Sequence, residues 1–144
     1  MKMLNYQREV LLQLRALGTE MALFNRHVAA SIGIKEIDLA VLDVLTAAGP
    51  LSPTQLSART RIHAATMTGI LTRLENDGWI ERQPIPGDRR AIQIVPVNPQ
   101  RFDAVFAEVN LRILDVFSTL NEQESGRLCE LLAGISRSVR EFKE

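Results

Sequence analysis

The chain contains few of the residues that build metal centres, disulfides or membrane spans. Its single cysteine, Cys129, excludes an internal disulfide and a zinc site with several cysteine ligands from one chain. The two histidines, His27 and His63, lie far apart in the sequence and are weak evidence for a metal site. No apolar run approaches the roughly 20 residues that a transmembrane helix needs. Aromatic residues make up 5%, so the walls of any ligand pocket should be mostly aliphatic.

The short motifs of common enzymes and of secretion are also absent. There is no glycine-rich phosphate loop, no Gly-x-Ser-x-Gly and no His-Glu-x-x-His. We therefore expect neither an enzyme nor a protein with a cofactor. The first ten residues lack the basic-then-apolar order of a signal peptide, so we expect a cytoplasmic protein with no membrane partner.

Positive charge is concentrated in one part of the chain, although the net charge of the whole is zero. Residues 51–101 contain seven arginines and four acidic residues, a net charge of three positive, and the remainder is negative by the same amount. Affinity for DNA depends on where cations lie, because the released counterions come from the contacted phosphates. This segment is therefore the candidate for contact with nucleic acid.

Apolar residues at helical spacing predict long helices at both ends of the chain. Residues 4–30 carry a seam with alternating steps of four and three, as in a coiled coil. A second helix over 35–48 ends at Gly49-Pro50. Near the C-terminus, Asn98-Pro99 opens one more helix, and Asn121 with Glu124 forms a capping box that opens the last.

Two short helices are predicted between these ends. Ser52, with Pro53 at the first helical position and Gln55 three residues after the serine, favours a helix start with a capping box. This helix runs to about Arg59, residues 60–62 form a turn, and a second helix covers 63–76. Two helices joined by so short a turn are typical of a helix-turn-helix. The second helix has an apolar inner face of Met67, Ile70, Leu71 and Leu74.

A β-hairpin should follow the second of these helices. Strands are predicted over 79–83 and 91–97, with a loop rich in proline and glycine between them. Trp79 should pack the base of the hairpin onto the core. The fold class is therefore mainly α with a small β-hairpin wing: a winged helix-turn-helix flanked by long N- and C-terminal helices. We expect a single domain over residues 1–144.

The whole chain resembles the MarR family of bacterial transcription regulators. The resemblance is strongest over T-M-T-G-I-L-T-R-L-E-N-D-G-W-I-E-R at 66–82 and G-D-R-R at 87–90. Two departures stand out. Val95-Pro96-Val97 replaces the usual Leu-Thr of the second wing strand, and Gly69 lies where the family often has a basic residue. The resemblance implies that 35–97 is a DNA-binding unit, whereas 4–34 and 98–144 are dimerisation helices.

Double-stranded DNA is the expected partner of the central unit. Small residues on the outward face of the helix over 63–76 would let it enter the major groove. There, threonine hydroxyls can bond bases or phosphates, and methyl groups can contact thymine methyls. At the start of the helix that follows Ser52, the helix dipole favours a bound phosphate. The arginines of the helix-turn-helix should position further phosphates. The predicted DNA contacts are Ser52, Thr54, Gln55, Arg59, Arg61, His63, Ala65, Thr66, Thr68, Gly69, Thr72, Arg73, Asp88, Arg89 and Arg90.

Two of these assignments are more detailed. The resemblance implies that a wing arginine, Arg89 or Arg90, enters the minor groove while Asp88 orients it by a salt bridge, and a narrow A·T-rich groove would attract such an arginine. His63 could contact a phosphate or bond its own backbone as a helix cap.

The apolar stripes of the terminal helices predict an interface with a second copy of the chain, because such long helices overhang a small core. The alternative is that the stripes pack on one another within one chain. The predicted interface residues are Val10, Leu14, Leu17, Ile113, Leu128, Leu132, Ile135 and Val139.

The expected function is that of a homodimeric, sequence-specific regulator of transcription, a ligand-responsive repressor that binds a pseudo-palindromic operator. The resemblance implies a small aromatic or amphipathic effector held between the dimerisation helices and the winged unit. Two alternatives stay open: a winged helix that binds protein, and a metal- or redox-responsive regulator that uses His27, His63 or Cys129. We expect Cys129 to be buried and unreactive.

Overall fold

Six helices and one hairpin make up the regular structure of residues 2–142, the part of the chain that the computed structural model describes. This order confirms the predicted fold class. The elements in chain order are α1 (Lys2–Ile32), α2 (Glu36–Ala48), α3 (Pro53–Thr60), α4 (Ala64–Asn76), β1 (Ile80–Ile85), β2 (Asp88–Pro96), α5 (Pro99–Phe117) and α6 (Glu122–Glu141). None of these helices combines the length and the hydropathy that a membrane span requires.

The core is formed by α2, α3, α4 and the base of the hairpin. The predicted inner face of α4 is fully buried, and Trp79 is 3% exposed, as expected for a residue that anchors the hairpin. Burial of each large aliphatic side chain contributes roughly 1.5–3 kcal/mol, which explains why these stripes fix the arrangement. The buried apolar residues of these elements are Leu39, Val41, Leu42, Leu45, Leu56, Met67, Ile70, Leu71, Leu74, Trp79, Ile80 and Ile94.

Two helices begin with the capping boxes that the sequence predicted. At α3, the Ser52 hydroxyl accepts from the main-chain N–H of Gln55 at 3.1 Å, and the Gln55 side chain accepts from Ser52 N–H at 2.8 Å. At α6, Asn121 and Glu124 make the same reciprocal pair, at 2.9 Å in each direction. Each box satisfies two N–H groups that a helix start would otherwise leave without an acceptor.

The hairpin is longer than predicted, and its loop is shorter. β1 and β2 pair antiparallel from Ile80 opposite Pro96 to Pro84 opposite Ile92, with a register shift after Pro84. The predicted loop over 84–90 is wrong, because only Pro86 and Gly87 lie between the strands. A proline is tolerated here since both strands of a two-stranded sheet are edges. Gly87 makes the tight turn with a φ of +89°, a conformation that favours glycine.

A contact on the other side of β2 was not foreseen. Leu51, just before α3, forms an antiparallel bridge with Ile94 of β2. Leu51 N–H donates to the Ile94 oxygen at 3.3 Å, and Ile94 N–H donates to the Leu51 oxygen at 2.7 Å. The start of the helix pair is thus bonded directly to the second strand of the hairpin.

The chain forms two compact units, one ending at Gln100 and the other beginning at Arg101 inside α5. The first contains α1 to β2, and the C-terminal end of α1 contributes the buried Val28 and Ala29. In the second, the rings of Phe102 and Phe106 lie 5.1 Å apart at a tilt of 54°. Asn98, predicted as the cap of α5, has a φ of +51° instead of the extended conformation usual for a cap.

Candidate nucleic-acid interface

α4 exposes a face of very small side chains. Ala65, Thr68 and Thr72 are exposed and Gly69 is half-buried, on the side of the helix opposite its buried stripe. A Cβ at Gly69 would meet only a terminal guanidinium nitrogen of Arg73, at 3.5 Å. The packing therefore does not require glycine there, and the helix backbone lies open to a close approach from outside.

The threonine hydroxyls on this face donate to the helix itself. Thr68 Oγ1 donates to the main-chain oxygen of Ala64 at 3.0 Å, and Thr72 Oγ1 donates to that of Thr68 at 2.9 Å. Such bonds are common for threonine in helices. Each hydroxyl thus has its hydrogen committed and retains only lone pairs, so hydrogen-bond donation from these threonines to DNA, which the sequence allowed, is not available in this arrangement.

An ion pair joins α4 to α2. Arg73 Nε donates to Asp38 Oδ2 at 2.9 Å, and a terminal nitrogen donates to Oδ1 at 2.7 Å. The Asp38 side chain is 3% exposed and that of Arg73 is 39% exposed. The hydrogen bond with Asp38 raises the pKa of Arg73, so the arginine stays cationic. The sequence predicts that Arg73 positions a phosphate, and it gave no prediction for Asp38, although the spacing of Asp38 from the buried Leu42 and Leu45 places it on the inner stripe of α2.

The start of α3 retains part of its predicted capacity for phosphate. Its capping box occupies the N–H groups of Ser52 and Gln55, and Pro53 has none. The main-chain N–H and the exposed side chain of Thr54, together with the side-chain NH2 of Gln55, are left for a ligand. This is a narrower donor set than the sequence predicted.

Two side chains in the turn between α3 and α4 are exposed, Arg61 and His63. Arg61 has a φ of +57°, in the left-handed region that side chains rarely adopt. His63 is the N-cap residue of α4, but its side chain makes no capping hydrogen bond. The interpretation of His63 as a polar cap is therefore wrong, and its phosphate contact stays a prediction, as does that of Arg59 in the last turn of α3.

The basic residues of the wing lie on a strand and not in a loop. Arg89 and Arg90 are exposed in the first residues of β2. Asp88 Oδ1 accepts from the main-chain N–H of Arg90 at 3.0 Å. The salt bridge that the resemblance implied for Asp88 is not formed within residues 2–142. Its carboxylate instead bonds the backbone two residues on, as Asp does in tight turns.

A second ion pair connects α4 to the hairpin. The Arg82 guanidinium in β1 pairs with the Glu75 carboxylate near the end of α4. The main-chain N–H of Arg82 also donates to Glu75 Oε1, at 3.3 Å. The C-terminal end of α4 and the hairpin are therefore held together by a side-chain pair as well as by the buried core.

Much of the predicted interface between copies is uncovered in the chain. Val10, Leu17 and Val139 are 60%, 52% and 69% exposed. Ile113 and Leu132 are 41% and 42% exposed. The half-buried members of the predicted set are Leu14, Leu128 and Ile135.

Cys129 is exposed, so the prediction of a buried thiol is wrong. The physical reason is that α6 has no buried residue along Glu122–Glu141, and a position beside its apolar stripe is therefore open. His27 is also exposed. Within the described part of the chain, His, Cys, Asp and Glu form no group of three or more that could hold a metal ion.

The helix pair α3 and α4, the small outward face of α4 and the basic hairpin define a winged helix-turn-helix protein. The MarR family model matches residues 35–92. The chain is 30% identical over 112 residues to the HTH-type transcriptional regulator YcgE of Bacillus subtilis, covering 76% of this chain and 73% of that protein. It is 34% identical over 117 residues to the HTH-type transcriptional regulator PecS of Dickeya dadantii, covering 75% and 67%.

Solved structures agree with these relatives. The transcriptional regulator Tm0710 from Thermotoga maritima superposes with a TM-score of 0.66 at 26% identity, covering 91% of this chain and 94% of that one. The chain belongs to the MarR family and is a winged-helix transcription regulator. The resemblance stated from the sequence is thereby confirmed, and the relatives, which are regulators, agree with the expectation that the chain is not an enzyme.

Proposed function

We propose that two copies of this chain form a homodimer that binds a pseudo-palindromic DNA operator and represses transcription. Each α4 enters the major groove, and Arg89 and Arg90 of each wing reach the adjacent minor groove. The observation that carries the proposal is the small exposed face of α4 on the same compact unit as the exposed wing arginines. A helix with so little side-chain bulk can approach base edges closely.

The homodimer is supported by the exposed apolar residues of the terminal helices. Leu17 in α1, Ile113 in α5 and Val139 in α6 are large apolar side chains at least 41% exposed. Large exposed apolar side chains grouped on a helix mark interaction sites, and two-fold pairing is the commonest assembly. A dimer would bring two copies of α4 to successive major grooves on one side of the duplex.

We further propose that a small aromatic or amphipathic effector controls release from DNA. A ligand that favours a spacing of the two α4 helices unsuited to DNA would shift the population away from the bound state. The expected result is that such a compound lowers affinity for the operator and that the operator lowers affinity for the compound by the same factor. A compound that binds tightly and leaves DNA affinity unchanged would contradict this part of the proposal.

Selection of bound sequences from a random duplex library tests the DNA-binding function directly. The selected duplexes should contain two related half-sites with centres roughly 34–36 Å apart, about one turn of DNA. Footprinting should show both half-sites protected. Affinity should fall steeply with salt, as expected for neutralisation of on the order of 6–10 phosphates by one dimer. Protection of a single half-site by saturating protein, or a flat salt response, would overturn the proposal.

Matched variants separate the wing from general charge. Arg89→Ala with Arg90→Ala should weaken binding and reduce the salt slope by about one for each phosphate that is no longer neutralised. Arg8→Ala, which removes an exposed cation of α1, is the control and should leave both unchanged. Leu17→Glu should give a monomer in sedimentation experiments, because a charge at an apolar interface is costly to bury. A stable Leu17→Glu dimer with normal DNA affinity would refute the assigned interface.

A further inference from the structure

We propose that α4 reads its half-site mainly through the 5-methyl groups of thymine, and that Asp38 sets this specificity by holding Arg73 away from guanine. The inference rests on the proposed duplex binding and names the kind of half-site that α4 recognises. Asp38 would act as a positioning residue, since it lies in α2 and is buried.

Each base presents a different set of groups in the major groove. Guanine offers two acceptors, N7 and O6, and is most often read by a two-pronged arginine or lysine contact. Thymine offers one acceptor and a methyl group, which apolar contacts with alanine and threonine methyls can read. A helix face without free long donors therefore favours thymine and gains little from guanine.

The outward face of α4 has this character. Ala65 and Gly69 have no side-chain donor, and the hydroxyl hydrogens of Thr68 and Thr72 are given to the main-chain oxygens of Ala64 and Thr68. With each Oγ1 turned to its own helix, the Cγ2 methyl is the group left for a ligand. The open space at Gly69 lets the backbone come close enough for such short side chains to touch the base edges.

Arg73 is the arginine of α4, and its orientation is fixed by Asp38. Two of its three guanidinium nitrogens are bonded to the two oxygens of a carboxylate that is 3% exposed. Extending Arg73 to a base would break both hydrogen bonds and leave a buried carboxylate without a partner, which is strongly unfavourable. The third nitrogen, near Gly69, remains for a phosphate, which carries no sequence information.

The remaining polar side chains of α4 are poorly placed to replace an arginine. Thr66 lies at the edge of the exposed face and has one short hydroxyl. Asn76 is the last residue of the helix, whereas base contacts in helix-turn-helix proteins come from the N-terminal turns of the recognition helix. Methyl contact is thus the reading mode that the first three turns of α4 support.

Base analogues in a duplex selected by the wild-type protein test the inference without any protein variant. Deoxyuridine in place of thymidine in the half-sites removes only the 5-methyl group, and affinity should fall about fourfold for each contacted methyl. Replacing guanine in the half-sites by 7-deazaguanine removes the N7 acceptor and should leave affinity unchanged. Full binding of the deoxyuridine duplex, or loss of binding with 7-deazaguanine, would overturn the inference.

The same experiment distinguishes failure of the proposed DNA binding from failure of the proposed reading of thymine methyl groups. If the wild-type protein retains no duplex from the library at low salt, the DNA-binding proposal itself fails and the reading mode falls with it. If duplexes are retained but the analogues give the opposite pattern, duplex binding stands and only the reading mode is wrong.

A matched pair of substitutions tests the methyl group on the protein side. Thr72→Val keeps the methyl and removes the hydroxyl, so it should bind the selected duplex more tightly than a variant that removes the methyl. Thr72→Ser keeps the hydroxyl and removes the methyl, so affinity should fall about fourfold, and the loss from deoxyuridine at the contacted position should disappear. The reverse ranking would show that the hydroxyl is what reads the base.

Asp38→Ala tests the positioning role. Release of Arg73 should change the preference itself, so that duplexes newly selected by the variant contain guanine near α4. A purely structural role would lower affinity for all duplexes equally and leave the preference unchanged, which would overturn the role of Asp38. Should Asp38→Ala fail to fold in a urea titration, the milder Asp38→Asn in the same selection decides the point.

Discussion

Both carboxylate oxygens of Asp38 in α2 are bonded to the guanidinium of Arg73 in α4, at 2.7 and 2.9 Å, across 35 positions of sequence. The two partners differ in environment, since Asp38 is buried and the Arg73 side chain is 39% exposed. Removing one partner therefore has different consequences from removing the other.

Arg73→Leu should destabilise the fold more than Asp38→Leu does. Without Arg73, a buried carboxylate has lost its partner, whereas without Asp38 the partly exposed guanidinium can be solvated by water. For Asp38→Leu we expect a loss of about 1.5–3 kcal/mol in the free energy of unfolding. Urea denaturation at pH 7 measures both. The double variant should be close to Asp38→Leu alone, and equal losses for the two single variants would contradict this account.

The capping boxes of α3 and α6 provide a matched pair. Ser52→Ala and Asn121→Ala each remove a side chain that accepts from the third residue of its helix, so each should lower the free energy of unfolding by about 1 kcal/mol. Only Ser52→Ala should also weaken binding to a selected duplex, since Ser52 belongs to the predicted DNA-contacting set. Equal loss of DNA affinity in both variants would show that the effect comes from stability alone.

The left-handed conformation of Arg61, with a φ of +57°, gives a prediction that compares two substitutions at one position. Both Arg61→Gly and Arg61→Val remove the guanidinium, but only glycine adopts this conformation without steric strain. We expect the valine variant to be less stable than the glycine variant by about 1–2 kcal/mol in urea denaturation. In binding to a selected duplex at low temperature, where both are folded, the two should lose affinity equally. A valine variant as stable as the glycine variant would argue against the strained turn.

Asp43 in α2 should make stability depend on pH. Burial raises the pKa of this carboxyl above 3.8. The folded protein therefore holds this proton more tightly than the unfolded chain, and its stability falls as pH rises through the window between the unfolded and folded pKa values. Asp43→Asn should raise the free energy of unfolding at pH 7, and the gain should shrink as pH falls below about 4. Urea denaturation of the variant and the wild type, at pH 7 and at a pH below about 4, measures this gain.

The control for Asp43 is Asp103→Asn, because Asp103 is an exposed carboxylate on α5. Its free energy of unfolding should differ little from that of the wild type at either pH. A gain for Asp43→Asn that grows towards low pH would contradict the sign of the effect.

Local pattern was sufficient to predict the helices and the position of the hairpin, but not the length of its strands. The inner face of α4, the capping residues Ser52 and Asn121 and the anchoring Trp79 all lie as expected. Each depends on spacing within a few residues, which sequence displays directly. The hairpin was predicted too short because Pro84 indicates a loop, although a two-stranded sheet accepts proline at its edges.

The candidate site was less predictable because its details depend on contacts between distant residues. The pairing of Arg73 with Asp38 and of Leu51 with Ile94 requires the tertiary arrangement. The rotamers of Thr68 and Thr72, which decide what the hydroxyls donate to, are also invisible in sequence. The position of Asp38 on an apolar stripe was the one signal that could have revealed its burial, since a buried acid needs a partner.

The bridge between Leu51 and Ile94 has a mechanical consequence. Together with the pair of Glu75 and Arg82, it fastens the hairpin at two places, once to the start of the helix pair and once to its end. The hairpin should therefore resist bending relative to α3 and α4, because it is held at both of these attachments. We therefore expect α4 and the hairpin to approach a DNA duplex as one rigid unit, with the angle between them already set.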